Sequence, residues 1–85
     1  MSERNVTIGS PVGLHARPAA AFVKAVAAAG IPVTVARVGS TPVDARSILA
    51  VLSLNVGQGD QVVVAAEGPT ADSVLDDLAT LLEQE

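Results

Sequence analysis

The chain has no cysteine, no tryptophan and no tyrosine, and one phenylalanine and one histidine in 85 residues. Without cysteine there is no disulfide framework and no thiolate nucleophile, a composition that suits a cytoplasmic protein. A lone histidine without cysteine partners leaves no zinc site, so no metal is expected. The lack of stacking aromatics, and of any basic stripe, argues against nucleic acid as a partner. Net charge is −4, and its distribution is one-sided. The five basic residues, Arg4, Arg17, Lys24, Arg37 and Arg46, all precede Ile48, whereas seven acidic residues and no basic one follow from Asp60 onward. No apolar run reaches the ~18 residues of a membrane span, and the opening Met1-Ser2-Glu3-Arg4 has no signal-peptide character. Ser10, Ser47, Ser53 and Ser73 have no second histidine to act as their base. Gly57-Gln58-Gly59 leads into a strand rather than a helix, so it is a turn and not a nucleotide-binding loop. No ATP site or other cofactor site is therefore expected.

What is present is aliphatic. Apolar residues make up 49% of the chain, so the core must be Val, Leu, Ile and Ala. The length predicts one domain, residues 1–85, burying roughly 60–65% of its unfolded surface. Alternation predicts a first strand over Asn5–Gly9 and a second over Pro32–Val38. A short third strand over Thr41–Val43 is marked as an edge by Pro42, and a fourth covers Gln61–Ala66. Between them, Ala19, Phe22, Val23 and Val26 repeat at helical spacing and give a first helix one buried face. Pro18 is tolerated in its first turn, and Gly30 and Pro32 end it. Ile48–Leu54 reads as a short helix capped by Ser47, with more apolar surface than one buried face requires. In the last helix, after Gly68-Pro69-Thr70, the residues Val74, Leu75, Leu78, Leu81 and Leu82 form a core stripe. The order β-α-β-β-α-β-α predicts an α+β, two-layer open-faced sandwich: a four-stranded antiparallel sheet with three helices on one face and solvent on the other.

The chemistry concentrates on Gly13-Leu14-His15-Ala16-Arg17-Pro18-Ala19. His15 falls where a loop meets the start of an Ala-rich helix. The first N–H groups of a helix have no partner within it, and the macrodipole adds partial positive charge there, so an anion is favoured. A neutral imidazole is a nucleophile, and Arg17 stands two residues on. The residues fit a phosphoryl group carried on the ring and held by main-chain donors. A solvated histidine of no special role is the competing reading of a lone imidazole.

That motif, followed by Ser47-Ile48-Leu49-Ala50-Val51-Leu52-Ser53-Leu54, resembles the HPr family, the phosphocarriers of the bacterial phosphoenolpyruvate:sugar phosphotransferase system, over essentially the whole chain. The Ala and Val content and the Ser-Ile-Leu-Ala-Val-Leu wording look actinobacterial. The resemblance implies that His15 accepts a phosphoryl group on Nδ1 from phosphorylated enzyme I and passes it to enzyme IIA domains of sugar permeases. The carrier would be a monomer, with transcription regulators as further partners, and not an enzyme in its own right. Arg17 would steady the phosphate, with the backbone N–H groups of Ala16 and Arg17 as donors. Ala16, Ala20 and Lys24, with Ile48, Leu49, Val51 and Leu52, would form the docking face, its exposed members being Ile48 and Leu49 and its rim the basic Arg17, Lys24 and Arg46. Ser47 matches the family's regulatory serine, phosphorylated by a kinase in low-GC Gram-positive relatives; it is equally a plain helix cap. Where several relatives carry Ser or Asn, this chain has Val12, which leaves local stabilisation to backbone groups. The same motif also serves nitrogen-related and dihydroxyacetone relays, and adaptor relatives that are not phosphorylated lack the histidine.

Overall fold

The computed structural model describes residues 2–84, built around a strand that is apolar on one face along most of its length. In chain order the elements are β1 (Ser2–Thr7), α1 (Ala16–Ala29), β2 (Val33–Arg37), β3 (Val43–Asp44), α2 (Ile48–Ser53), β4 (Gln61–Ala66) and α3 (Ala71–Glu83). The sheet order is β1-β4-β2-β3, antiparallel throughout. The registers Val6↔Val62 and Val35↔Val64 align the inward side chains of three strands. Because side chains alternate along a strand, Val62, Val64 and Ala66 face the helices while Val63 and Ala65 face the other way. Val6, Val33 and Val35 complete that inward layer, against which Phe22, Val26, Leu75, Leu78 and Leu82 pack. This is the open-faced two-layer sandwich and the element order expected from the sequence.

Element ends differ from the sequence expectation for definable reasons. The first strand lies over Ser2–Thr7 rather than Asn5–Gly9. Its polar start still finds ladder partners in Val64–Ala66, and Arg4 reaches Asp76 at 3.1 Å and Asp72 at 3.4 Å on α3. Ile8 and Gly9 leave the ladder because their N–H groups bond to the carbonyls of Asp60 and Leu82. The second strand is trimmed to Val33–Arg37, and the third is displaced to Val43–Asp44, pairing with Val35 and Thr34. Pro42, with no N–H, stays outside the ladder. On α3 the buried residues are Ala71, Leu75, Leu78 and Leu82, a narrower stripe than expected. Val74 and Leu81 are only half-buried, as is Val23 on α1. Gly30 ends α1 in the left-handed conformation, φ 73°, as its position suggested.

With one phenylalanine and no tyrosine or tryptophan in the protein, the core rests heavily on Phe22, which is fully buried. Truncation to alanine removes the largest core side chain, and the surrounding aliphatic residues collapse only in part. Phe22→Ala should cost about 3–5 kcal/mol of unfolding free energy. Urea titration at constant m-value measures this, and a loss below about 1 kcal/mol would contradict the central place given to that ring.

Candidate functional site

His15 is the N-cap of α1, with extended backbone (φ −134°, ψ 171°) and no side-chain capping bond. Its ring is therefore not used in closing the helix. The first intrahelical bond runs from Ala19 N–H to the His15 carbonyl at 3.3 Å. Pro18 has no N–H, so Ala16 and Arg17 carry the orphan donors of the first turn. Among the described residues neither N–H has a protein partner. Ala16 adds something the sequence did not signal. Its φ is +50°, the left-handed region, which costs an alanine roughly 1–2 kcal/mol. A residue stays there only when its surroundings fix it.

Those surroundings are the residues on either side of His15 and the turn between α2 and β4. Leu14, 1% exposed, is sunk in the core immediately before the half-exposed histidine. Its N–H donates to the Val56 carbonyl at 3.0 Å. Gly13 (φ +71°) lies against that same carbonyl and within 2.8 Å of the Gly57 Cα as measured from where a Cβ would stand, so no side chain fits. Ser10, 4% exposed, closes the bend before it. Its carbonyl accepts from Gly13 N–H at 2.9 Å, and its hydroxyl accepts from Val12 N–H at 3.4 Å. Local stabilisation near Val12 thus includes the Ser10 hydroxyl and is not confined to backbone groups, while the Val12 side chain is 57% exposed. At the other end of the loop, Gly9 abuts the Glu83 carbonyl at the end of α3, again with no room for a Cβ. Gly57-Gln58-Gly59, read from sequence as a mere turn, proves to be the seat of the histidine loop. The signal was present as an aspartate, Asp60, closing a glycine-rich turn, but a turn does not reveal what packs on it.

Charge pairing narrows the basic patch. Arg4 is bonded to Asp72 and Asp76, Arg37 lies 3.4 Å from Asp60, and Arg46 lies 3.4 Å from Asp44. The Arg46 backbone N–H and guanidinium hold the Asp44 carboxyl below the usual carboxylate range. Arg17 and Lys24, both exposed on α1, have no ion-pair partner among the described residues. Arg46, expected on the rim of the patch, is already engaged by a neighbouring acid. The two free cations therefore stand on the helix that His15 opens.

The expected docking residues divide in two. Ala16, Ala20 and Lys24 are exposed, and spaced by four residues they share one face of α1. On α2, which packs against α1, Leu49 is 77% and Ile48 38% exposed. Leu52 is half-buried against the core. Val51 is a correction: it is fully buried, because a helix of six residues resting on the core must turn one side inward, and Val51 lies on that side. Ser47 is the N-cap of α2, its Oγ accepting from Ala50 N–H at 3.2 Å.

Comparison with known proteins shows what the whole chain resembles. A family model described as the PTS HPr component phosphorylation site matches residues 2–84. A phosphocarrier protein HPr of Streptomyces coelicolor is 45% identical over 84 residues, covering 99% of this chain and 90% of that protein. Among solved structures, HPr-C-His from Thermoanaerobacter tengcongensis superposes with a TM-score of 0.90 at 36% identity, covering 98% of this chain and 92% of the other. A phosphocarrier protein HPr from Bacillus anthracis gives 0.89 at 30% identity, covering 95% of each chain.

The close approach at Gly13 yields a direct test. A Cβ there meets the Val56 carbonyl and also needs a positive φ, so Gly13→Ala must displace the loop. A loss of about 1–3 kcal/mol is expected, lowering the melting midpoint by at least ~4 °C in a domain of this size. An unchanged midpoint in differential scanning calorimetry would show that the loop is not seated as described.

Proposed function

The chain belongs to the HPr family of phosphocarrier proteins, and on that footing we propose that His15 carries a phosphoryl group on Nδ1, taken from enzyme I and passed to enzyme IIA domains during sugar uptake in the cytoplasm. The observation that carries this reading is the N-cap histidine whose ring closes no helix bond, beside two main-chain donors with no protein partner. Of the two ring nitrogens, Nδ1 is bonded to Cγ and so lies nearer the backbone. On this reading the phosphoryl group on Nδ1 is the one that the Ala16 and Arg17 N–H groups hold. In transfer, the Nδ1 lone pair forms the new bond to phosphorus as the bond to the donor atom breaks, that electron pair leaving on the donor. Passage to the acceptor repeats the same exchange. Each charge-assisted bond from the main chain or from Arg17 contributes roughly 1.5–3 kcal/mol toward holding the transferred group.

A carrier must meet two partners in turn and leave both. The exposed Leu49 and Ile48 and the half-buried Leu52 supply a small apolar patch, and Arg17 and Lys24 supply unpaired positive charge beside it. Such a surface suits short-lived contacts with acidic partners, because charge complementarity raises the association rate more than the affinity. The protein then works as a monomeric single domain with no cofactor of its own.

One experiment separates this reading from that of an adaptor that is never phosphorylated. With purified enzyme I and labelled phosphoenolpyruvate, the protein should gain acid-labile, alkali-stable label, and His15→Ala should gain none. Label persisting in that variant would refute the site, and an unlabelled wild-type protein would favour the adaptor. Arg17→Ala should slow transfer about tenfold or more, the loss of one or two charge-assisted bonds, with an unchanged melting midpoint. Leu49→Asp should instead raise the apparent KM for enzyme I at near-constant kcat, since it touches docking and not the transferred group. A fall in kcat alone would remove Leu49 from the docking face.

A further inference from the structure

We infer that Asp60 is a positioning residue for His15, acting through the turn between α2 and β4 on which the histidine loop is seated. The consequence for phosphoryl transfer rests on the carrier reading above. The mechanical claim rests on the hydrogen bonds alone.

Asp60 grips the turn from inside. Its Oδ2 accepts the Gly57 N–H at 2.9 Å and faces Arg37 Nη1 at 3.4 Å. The same Arg37 nitrogen donates to the carbonyls of Asn55 at 3.1 Å and Leu54 at 3.4 Å. One carboxylate and one guanidinium therefore tie the carbonyls at the end of α2 to the N–H that follows Val56. Asn55 itself has φ +53°, a left-handed conformation that asparagine adopts more readily than most residues with a side chain. The Gly57 N–H bond, and secondarily Arg37, keep the Asp60 carboxyl below the usual carboxylate range, so it is charged and accepting near neutrality.

Asp60 also reaches both ends of the histidine loop. Its own carbonyl accepts the Ile8 N–H at 2.9 Å, where the loop leaves β1. At the far end, the Val56 carbonyl takes the Leu14 N–H and lies against Gly13. Val56 is 1% exposed, flanked by Asn55, bound to Arg37, and Gly57, bound to Asp60. The direction of its carbonyl is consequently set by those two side chains. Leu14 precedes His15 directly, and the strained Ala16 follows, so a rotation of the Val56 carbonyl passes to the imidazole and to the free donors. Arg37 makes this a link to the docking helix too, because its Leu54 contact lies at the C-cap of α2.

The test compares Asp60→Ala with Asp60→Asn, whose amide oxygen can still accept from Gly57. Asp76→Ala, which breaks a separate exposed ion pair with Arg4, serves as the control. The His15 imidazole and the amides of Leu14 and Ala16 are followed by ¹H–¹⁵N NMR, and transfer from enzyme I by steady-state kinetics. Asp60→Ala should move those resonances and lower kcat about tenfold, with KM held within about twofold, because a misaimed nucleophile loses rate rather than affinity. Asp60→Asn should restore most of both, and Asp76→Ala should alter neither. Unmoved His15 resonances in a folded Asp60→Ala protein would overturn the inference, as would equal movement in Asp76→Ala. Should the alanine variant not fold, Asp60→Glu displaces the acceptor while retaining charge, and the same resonances must shift or the inference fails. The imidazole signals need no phosphate, so they decide the positioning claim even if wild-type protein takes no label, a failure that would count against the carrier reading alone.

Discussion

Leu14 donates its N–H to the Val56 carbonyl over 3.0 Å, and the geometry around His15 follows from that seat. Leu14 is committed to the core, Ala16 to a strained left-handed backbone, and the histidine between them has little freedom to stand anywhere but over the first turn of α1. An exposed loop of eight residues would otherwise sample many conformations, each residue contributing about 1–2 kcal/mol of backbone entropy when fixed. Here that ordering is offset by bonds to two different parts of the fold: the turn between α2 and β4, and the end of α3. The site is consequently organised before any phosphate arrives, which is the condition under which main-chain dipoles are most effective.

This acidic protein keeps its unpaired cations on one helix. Of the five cations, Arg4, Arg37 and Arg46 are absorbed by neighbouring aspartates. Exposed ion pairs of this kind contribute little to stability, typically under ~1 kcal/mol each. Their effect on the surface field is larger, because they leave Arg17 and Lys24 as the cations with no acidic partner among the described residues. Both stand on α1 beside the apolar patch of α2. The acidic excess toward the C-terminus, on α3 above all, gives the rest of the surface the opposite sign.

Much of this was legible in the chain itself. The apolar run within Gln61–Ala66, the helical spacing of Phe22 and Val26, and the stop at Gly30 depend on local chemistry, and the structure follows them. The position of His15 at a helix start was readable from Pro18 and the alanine run behind it. What could not be read depended on contacts distant in sequence. The first strand begins at Ser2 because a neighbouring strand offers carbonyls and N–H groups to polar residues as readily as to apolar ones. Val51 and Leu49 are both aliphatic and two positions apart, and only the seating of α2 on the core decides which is buried. Gly13 takes a positive φ where Val56 and Gly57 press on it from more than forty residues away, a constraint that no pattern within the loop encodes.

The account is tested most directly by the backbone amides beside His15 as phosphate is added. In ¹H–¹⁵N spectra of the protein before and after phosphorylation, the Ala16 and Arg17 amide protons should move downfield well beyond any others, as new acceptors reach them. A ³¹P–¹⁵N coupling should appear on Nδ1, with the signals of β1 to β4 staying in place. Phosphorylated His15 with unmoved Ala16 and Arg17 amides, or with phosphorus coupled to Nε2, would contradict the claim that these main-chain donors hold the transferred group.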